Sequence, residues 1–461
     1  MFVGMNPTLF AETTEVVAGP TATVAAVPQD KAVVTAAAEP PRLVRPDRAQ
    51  YRFETCCLDE RLPADHAARL VWRMVEKLDL TAFEAPLRAR GSEPGRPAID
   101  PHVLVALWLY AAVDGVGNGR KLDRLCREHD AYRWLCGWVS VNYHTLNDFR
   151  VQHEAALDNL LTQLLTVLVA KKVVRVERIS QDGKRVRASA GSSSFHRRDT
   201  LTRLREQTRA YIEDLKRQAD EEPGEAARRR AAQQRAARDK EARLEQALAL
   251  LPELEAARQQ RRNSYKDRAK PVRVSSTDPE ARKMKMPDGG VRPAYNVQLA
   301  TDVASGAVVG VDVGNSGDDG QYSGPLREQV EARTGRQVGE HLADEGYVDM
   351  EQIEAAETAG VAMYVPLPTS RKTGLPVTAS RWDTPATRCW RERMQTPAAE
   401  VVYRQRFAAS ERVNAEWQER LGLRRFAVRG LAKVRCVALW MALAFNLMHF
   451  GEVFLRAVSP T

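Results

Sequence analysis

The stretch AYNVQLATDVASGAVVGVDVGN (Ala294–Asn315) marks the point where the chain changes from helical to strand patterning. Apolar and polar residues alternate in both halves of the stretch, and a period of two is the pattern of a β-strand. The residues Ala-Ser-Gly lie between the halves and favour a turn. The stretch therefore predicts a β-hairpin, and the elements on either side of it decide the fold class.

The segments that follow the hairpin alternate between helix and strand. A helix is predicted near residues 320–334, and a short strand in QVGEHLADEGYV ends on Asp344. MEQIEAAETAG (Met350–Gly360) has the pattern of a helix closed by glycine, and VAMYVPLP (Val361–Pro368) is typical of another strand. Helices follow a loop rich in proline and threonine, from about residue 398 to 450. This order predicts a mixed α/β domain.

A further strand is predicted before the hairpin, in VERISQDGKRVRA (Val176–Ala188). The β-branched residues from Val173 to Ile179 favour a buried strand that stops at Asp182. Three cations follow that carboxylate, namely Lys184, Arg185 and Arg187. Asp-Gly is also a strong hairpin signal, so a turn explains the dipeptide when it is taken alone. The other acidic residues decide whether this carboxylate has a chemical role.

The order of the elements predicts that three carboxylates lie close together. Asp182 and Asp344 end two strands on either side of the hairpin, and adjacent strand ends bring distant residues together. Glu411, in the helical segment VVYRQRFAASERVNAEWQERLGLRRF (Val401–Phe426), is the candidate third member. Three packed carboxylates repel one another and need a metal, and hard oxygen ligands suit Mg²⁺ or Mn²⁺. Two such ions can activate a water or a 3′-hydroxyl at a phosphodiester and stabilise the leaving oxygen.

Polar and basic residues near these carboxylates are candidates for contacts with a phosphate backbone. The candidates in the last helical segment and beside the first aspartate are Tyr403, Arg406, Arg412, Asn414, Arg424, Arg425, Lys184 and Arg185. Other acidic residues have simpler explanations, because Glu416 and Glu419 suit a solvent-facing helix and Asp302 and Asp312 suit hairpin ends. The two tryptophans Trp382 and Trp390 suit stacking on an unpaired base and core packing equally well.

Composition narrows the possible partners of this 461-residue chain. The net charge of +9 and the pI of about 9.3 fit a polyanionic partner or a solvated basic surface.

The six cysteines lack a CxxC spacing, which argues against a zinc site and favours reduced thiols in the cytoplasm. CVALWMALAFNLMHF (Cys436–Phe450) is too short to span a membrane and contains Asn446. GVGNG (Gly115–Gly119) follows a helix and not a strand, so we expect no nucleotide cofactor.

The remaining segments predict a multi-domain chain. Residues 1–48 suggest a disordered leader, and 49–173 a helical domain that binds DNA. In the helix NYHTLNDFRVQHEAAL (Asn142–Leu157), Tyr143 and Arg150 are residue types that contact DNA, which allows a helix-turn-helix variant or an ordinary polar helix face. Four further segments complete the division: 174–195 and 271–450 form the α/β domain, 196–270 is an Arg-rich helical insertion, and 451–461 is a tail.

Several long motifs in this order resemble one protein family. ISQDGKRVRASA, SSTDPEARKMKMPDGGVRPAYNVQLATD, LADEGYVDMEQIEA and YRQRFAASERVNAEW are similar to stretches of bacterial insertion-sequence transposases with an RNase H-like DDE catalytic domain. LDERLPADHAARLVWRMVEKLDL, GRPAIDPHVLVALWLYAAV and LNDFRVQH resemble the helical, InsH-type N-terminal domain of the same group. The resemblance implies an α+β chain whose helical N-terminal domain precedes an RNase H-like catalytic domain with a helical insertion.

The resemblance also implies an activity. Such an enzyme binds the terminal inverted repeats of its own element, cuts the DNA by hydrolysis and joins the freed 3′ ends to target DNA with two divalent ions. By analogy Asp182, Asp344 and Glu411 are the metal ligands, and Gln418 stands where a lysine is common. A dimer or a larger synaptic complex is expected, since two DNA ends must be held together.

Two other functions are compatible with the same residues. A transposase relic that acts as a repressor would bind DNA without cutting it, although such a relic is expected to have lost an acidic ligand. A nuclease of the same fold would cut DNA without joining strands, because hydrolysis and strand transfer use one metal site. A helical scaffold is favoured only by the Arg-rich insertion.

Overall fold

The computed structural model describes residues 55–87, 97–218, 225–260 and 271–458. The predicted leader at 1–48 and the Pro223-Gly224 break in the insertion lie outside these residues. From Cys56 onward the chain forms one compact unit.

Helices make up the first part of this unit. They are α1 (Leu58–Arg61), α2 (Ala67–Val75), α3 (Thr81–Glu84), α4 (Pro101–Val113), α5 (Gly119–Glu128), α6 (Asp130–Cys136), α7 (Tyr143–Gln152) and α8 (Glu154–Ala170). Helix α4 begins with a proline in its first turn, and the Asp100 carboxylate accepts a hydrogen bond from the His102 backbone N–H (2.8 Å). Most of α4 is buried, which explains why its sequence is apolar on all sides.

A six-stranded mixed sheet follows. Its strands are β1 (Arg178–Arg187), β4 (Arg282–Lys285), β5 (Val291–Asp302), β6 (Val308–Gly314), β7 (Glu340–Leu342) and β8 (Ala362–Tyr364). The order β4-β5-β1-β7-β8 runs across the sheet, and β6 pairs with β5 as well. Strand β1 is antiparallel to β5 and parallel to β7, and β7 is parallel to β8. The predicted hairpin is therefore β5 and β6, and the predicted α+β class is confirmed.

Strand β1 differs from the prediction. It does not stop at Asp182, and Asp182-Gly183 is not a turn: the strand continues to Arg187. The reason is the length of β5, which pairs with β1 from Ile179 opposite Asp302 to Arg187 opposite Ala294. The first candidate carboxylate therefore lies in the middle of a central strand.

The helices that follow the hairpin cover the sheet. They are α11 (Ser323–Thr334), α12 (Met350–Thr358), α13 (Pro385–Met394), α14 (Pro397–Glu419) and α15 (Leu431–Val458). Residues of the helical first part, the sheet and α15 share one hydrophobic core. Arg333 on α11 is buried and pairs with Asp158 on α8. The predicted boundary at 173 thus separates two kinds of secondary structure within a single core.

Helix α15 is longer than predicted. It continues past residue 450, into the predicted tail, to Val458, because Phe454 and Leu455 are buried. By length and composition it could cross a membrane, but 72% of its apolar window is buried within the protein. The fully buried Asn446 side chain hydrogen-bonds both the N–H (2.9 Å) and the C=O (2.8 Å) of Val308 on β6. These contacts identify α15 as the central helix of the core.

The insertion is a helical hairpin with its own small core. It contains α9 (Arg198–Arg217) and α10 (Glu225–Gln260), which pack against each other. A two-stranded ladder closes its base, where β2 (Phe195–His196) pairs with β3 (Val274–Ser275). Leu201, Leu244, Ala247, Leu251 and Val274 form its core, separate from the main one.

Candidate active site

Helix α14 lies across one face of β1 and contacts it at alternate residues, as the pleat of a strand requires. Ser180 Oγ lies 2.6 Å from Ser410 Oγ. One turn further along α14, Asn414 Nδ2 donates to Asp182 Oδ2 (2.6 Å). Lys184 Nζ then donates to the backbone oxygen of Asn414 (2.6 Å). These bonds fix Asp182 between the sheet and α14.

Asp344 lies beside Asp182 because of the sheet topology. Leu342 of β7 pairs with Ser180 of β1, and the two strands are parallel. Asp182 follows Ser180 by two residues and Asp344 follows Leu342 by two residues, so the two aspartates lie at the same level of the sheet. Asp344 Oδ1 accepts a hydrogen bond from the Gly346 backbone N–H (2.8 Å). The sequence prediction that these two aspartates meet agrees with this placement.

A groove of about 690 Å³ opens over the two aspartates. Its acidic part is formed by Asp182, Asp344 and Asp319. Its other charged or polar lining residues are Lys184, Arg185, Arg187, Asp288, Arg292, Asn414, Gln418 and Arg424. The groove therefore combines a carboxylate cluster with a basic wall, which suits a phosphate backbone bound next to metal ligands.

The Asp182 carboxylate is held in an unfavourable electrostatic environment. Its pKa is raised to about 6, mainly by burial; the Arg406 guanidinium opposes that rise, and the nearby Asp344 and Asp319 charges contribute to it. Arg406 NH1 lies 3.7 Å from Asp182 Oδ1, and only 11% of the Arg406 side chain is exposed. Arg406 is thus the buried counterion of Asp182 in this structure.

Glu411 is not part of the cluster in this structure. It is exposed on α14 and forms no hydrogen bond or ion pair with the described residues. Arg406 and Asn414 occupy the positions of α14 that face Asp182. Within the described residues, no three carboxylate, imidazole or thiol groups converge closely enough to hold a metal ion. The structure thus brings two of the three predicted ligands together.

The other predicted contacts in the last helical segment have partners within the protein. Arg412 binds Glu416 (3.2 Å) and His449 (3.0 Å). The other two arginines are both exposed, but only Arg424 lines the groove, where it pairs with Glu419, whereas Arg425 donates to the Ala188 backbone oxygen. Arg424 is therefore better placed for a phosphate than Arg412 or Arg425.

Two further candidates have packing roles or internal partners. Tyr403 packs against a small cluster around Leu342 and lies under Arg406, 5.8 Å from the guanidinium to the ring centre. Arg185 donates to the backbone oxygens of Lys285 (3.0 Å) and Gly317 (3.1 Å).

Arg150 is a correction to the predicted DNA contacts. Its side chain is 5% exposed, donates to the Gly117 backbone oxygen (2.7 Å) and stacks on Trp108 (4.7 Å). Burial lowers its pKa to about 10. Arg150 therefore supports the glycine-rich loop. Tyr143, on the same helix, is partly exposed and lies 5.1 Å from the guanidinium of Arg120.

The two tryptophans and the two hairpin aspartates also differ in role. Trp390 is fully buried and donates to the Val365 backbone oxygen (3.1 Å), so it belongs to the core. Trp382 is 77% exposed, with Arg381 stacked on it at 4.5 Å. Two acidic residues have structural partners: Asp302 accepts from the Val176 N–H (3.0 Å), and Asp312 pairs with Arg435 (3.1 Å).

Sequence reasoning missed Asp319. This residue lies in the loop between β6 and α11, and Asn296 Nδ2 (2.5 Å) and Gln298 Nε2 (2.9 Å) donate to its Oδ1. Burial raises its pKa, and the Asn296 hydrogen bond opposes that rise. The only sequence signal is an acidic pair directly after the hairpin, in NSGDDG (Asn315–Gly320), which also reads as an ordinary loop.

Asp182→Asn should stabilise the metal-free protein at neutral pH. The folded pKa of about 6 exceeds the ordinary value of 3.8. Ionisation therefore costs stability as pH rises from about 4 to 6, and the cost persists above that range. We expect a gain in the free energy of unfolding on the order of 2 kcal/mol at pH 7.5, which disappears near pH 4. Urea unfolding in EDTA at pH 7.5 and near pH 4 measures this gain. An equal gain at the two pH values would contradict the raised pKa of Asp182.

Two regions of the chain match known protein families. Residues 56–152 match a family described as "Transposase domain (DUF772)", and residues 269–447 match one described as "Transposase DDE domain". The second match includes Asp319, Asp344 and Glu411, whereas Asp182 precedes it, on the other side of the helical insertion. Searches of curated proteins and of solved structures returned no match. The chain therefore belongs to the insertion-sequence transposases with a DDE catalytic domain.

Proposed function

We propose that this transposase binds the terminal inverted repeats of its insertion sequence, cleaves the DNA at the element ends and transfers the 3′-OH ends to target DNA by two-metal-ion phosphoryl transfer. The observation that carries the proposal is the pairing of Asp182 and Asp344 at the acidic part of a groove whose wall is basic. A site that only bound DNA would gain nothing from two adjacent carboxylates facing the phosphates.

The donor atoms present fit Mg²⁺ or Mn²⁺. Asp182 and Asp344 supply hard carboxylate oxygens, and Asn414 Oδ1 is buried beside Asp182 without a hydrogen-bond partner among the residues that the structure describes. Glu411 would complete the set from α14, three residues before Asn414. When bound, the two ions would activate the attacking oxygen and neutralise charge on the leaving oxygen.

The protein's own residues position the DNA in this scheme. Arg187, Arg292 and Arg424 line the groove and would bind phosphates of the scissile strand. Arg406 neutralises Asp182 in the metal-free protein, and Asn414 orients the Asp182 carboxylate. Since two element ends must be processed together, a homodimer or a larger synaptic complex fits the reaction. The expected location is the cytoplasm, with association to the nucleoid on DNA binding.

Cleavage of a labelled duplex that carries the element's terminal repeat tests the proposal. With Mg²⁺, the wild type should nick at the repeat boundary, and Asp182→Ala should bind the duplex without nicking it. Adding a target plasmid should give joined products with the wild type alone. Nicking without joined products would indicate a nuclease. Binding of the duplex without nicking, equal in the wild type and in Asp182→Ala, would indicate a repressor-like relic.

A further inference from the structure

Trp138 and Val139 lie exposed in the loop between α6 and α7, with 64% and 43% of their surface accessible. Trp138 also has a left-handed backbone, with φ +68° directly after Gly137 at +55°. Glycine adopts this conformation without strain, whereas the Cβ of any other residue crowds the backbone there. Neither burial nor backbone preference accounts for a tryptophan at this position. Strain of this kind is concentrated at binding sites.

A cation lies against the Trp138 ring. The Arg133 guanidinium is over the ring, 5.1 Å from its centre, and Arg133 NH1 donates to Asp130 Oδ1 (3.3 Å). An apolar protein partner would have to bury this guanidinium together with the ring, which is costly. A DNA base can instead stack on the tryptophan while the cation lies near a phosphate. The pair therefore favours a nucleic acid as the partner.

Two more cations lie at the start of α5. Arg120 and Lys121 are exposed and form no ion pair with the described residues. They occupy the first turn of α5, where the helix dipole repels positive charge. The Arg120 guanidinium lies 5.1 Å from the ring centre of Tyr143 at the start of α7, and the His144 ring lies 4.0 Å from that ring. A bound phosphate would relieve the repulsion at the start of α5.

The tryptophan and these cations are close enough to contact one duplex. Trp138 precedes Tyr143 by five residues in the sequence, so their Cα atoms are at most about 18 Å apart, the length of about five base pairs. Arg120 in turn lies against Tyr143. Phosphate contacts fix the position of a protein on DNA, and an apolar side chain inserted between base pairs opens the step. The two groups of residues thus supply both kinds of contact.

This surface continues towards the catalytic groove. The glycine-rich loop before α5 packs against the turn that follows α14, where a methyl group on Gly115 would lie 3.3 Å from the Arg420 backbone oxygen. Arg424 follows that turn and lines the groove. DNA that passes Arg424 can therefore continue onto the start of α5.

We propose that Trp138 and Val139 open a base step of the terminal repeat, with a base stacked on Trp138, while Arg120 and Lys121 bind neighbouring phosphates. The inference rests on the proposed function and deepens it, because it assigns repeat binding to the surface formed by α5, α6 and α7. These four residues do not line the catalytic groove. Changing them should weaken binding of the repeat and leave cleavage of a saturating duplex within a few-fold of wild type.

Equilibrium binding of the full-length protein to a labelled terminal-repeat duplex, in EDTA to prevent cleavage, tests the proposal. Trp138→Ala should weaken binding by about tenfold or more, the usual effect of losing one base stack, and Trp138→Phe should retain most of the affinity. Lys121→Gln should lower the slope of log Kd against log salt by about one, because one phosphate contact is lost. Lys77→Gln is the matched control, since Lys77 is an exposed lysine just after α2 and should change neither quantity.

Thermal unfolding separates a binding role of Trp138 from a structural one. Trp138→Gly removes the ring and the backbone strain together, so it should weaken binding as Trp138→Ala does without lowering the melting temperature. A clear fall in the melting temperature of Trp138→Gly would give the ring a structural role and overturn the inference.

The remaining outcomes distinguish this inference from the proposed function. Wild-type affinity in Trp138→Ala, with cleavage at the repeat boundary intact, overturns the inference and leaves the proposed function standing. A salt slope lowered equally in Lys77→Gln and Lys121→Gln overturns the assignment of a phosphate to Lys121. If the wild type binds a scrambled duplex as tightly as the terminal repeat and cleaves neither in Mg²⁺, the proposed function fails.

Discussion

Replacing Glu411 with glutamine should reduce cleavage of the terminal-repeat duplex by roughly a thousandfold or more, because a metal ligand that acts in the transition state cannot be replaced by a neutral amide. The same change should hardly alter stability. Glu411 is exposed and forms no bond with the described residues, and such surface substitutions usually change the free energy of unfolding by less than about 0.5 kcal/mol. Single-turnover cleavage and thermal unfolding measure the two effects.

Glu416→Gln is the matched control on the same helix. Glu416 accepts from His449 Nε2 (2.8 Å) and Arg412 Nε (3.2 Å), so its loss should lower stability and leave the cleavage rate within a few-fold of wild type. The opposite pattern, with cleavage lost only in Glu416→Gln, would make Glu416 the ligand. Normal cleavage by both variants would place the third ligand outside α14.

Trp417→Ala should destabilise the protein by about 3 to 5 kcal/mol, the usual cost of removing a large buried aromatic side chain. Trp417 is on α14, has no exposed surface and belongs to the main core. Because α14 carries Asn414, the variant should also loosen the hydrogen bond to Asp182. Denaturant unfolding measures the loss, and a cost below about 1 kcal/mol would show that α14 is held mainly by other contacts.

Two phenylalanine variants refine this test. Trp417 Nε1 has no hydrogen-bond partner among the described residues, so Trp417→Phe loses volume only. Trp390 donates to the Val365 backbone oxygen, so Trp390→Phe also leaves a buried acceptor unpaired. We expect Trp390→Phe to be the more destabilising of the two. Equal costs would mean that the Trp390 hydrogen bond contributes nothing net.

The fold class and the family could be predicted from sequence because their signals are local. The alternation in β5 and β6 gave the hairpin, and the order of strands and helices gave the mixed sheet. The extension of β1 past Asp182 could not be predicted, because it depends on the pairing of Arg187 with Ala294, more than a hundred residues away. Local turn propensity at Asp-Gly was overridden by this tertiary pairing.

The site was predictable only where strand order determines it. Asp182 and Asp344 meet because β1 and β7 are parallel neighbours, which follows from the predicted α/β order. The orientation of side chains on α14 and α7 is set by packing. Arg406 and Arg150 are therefore buried although their type suggests phosphate contacts. Asp319 reaches the groove from a loop, and no periodic pattern in the sequence reports the position of a loop.

The ladder between β2 and β3 has a consequence for how this gene can change. His196 and Val274 lie side by side, so the chain leaves the catalytic sheet and returns to it at nearly the same point. The hairpin of α9 and α10 has a core of its own. Natural insertions or deletions in this hairpin would change its length, while the distance between Asp182 and Asp344 stayed constant. We therefore expect that exchanging the segment between His196 and Val274 would leave the catalytic sheet of this protein able to fold.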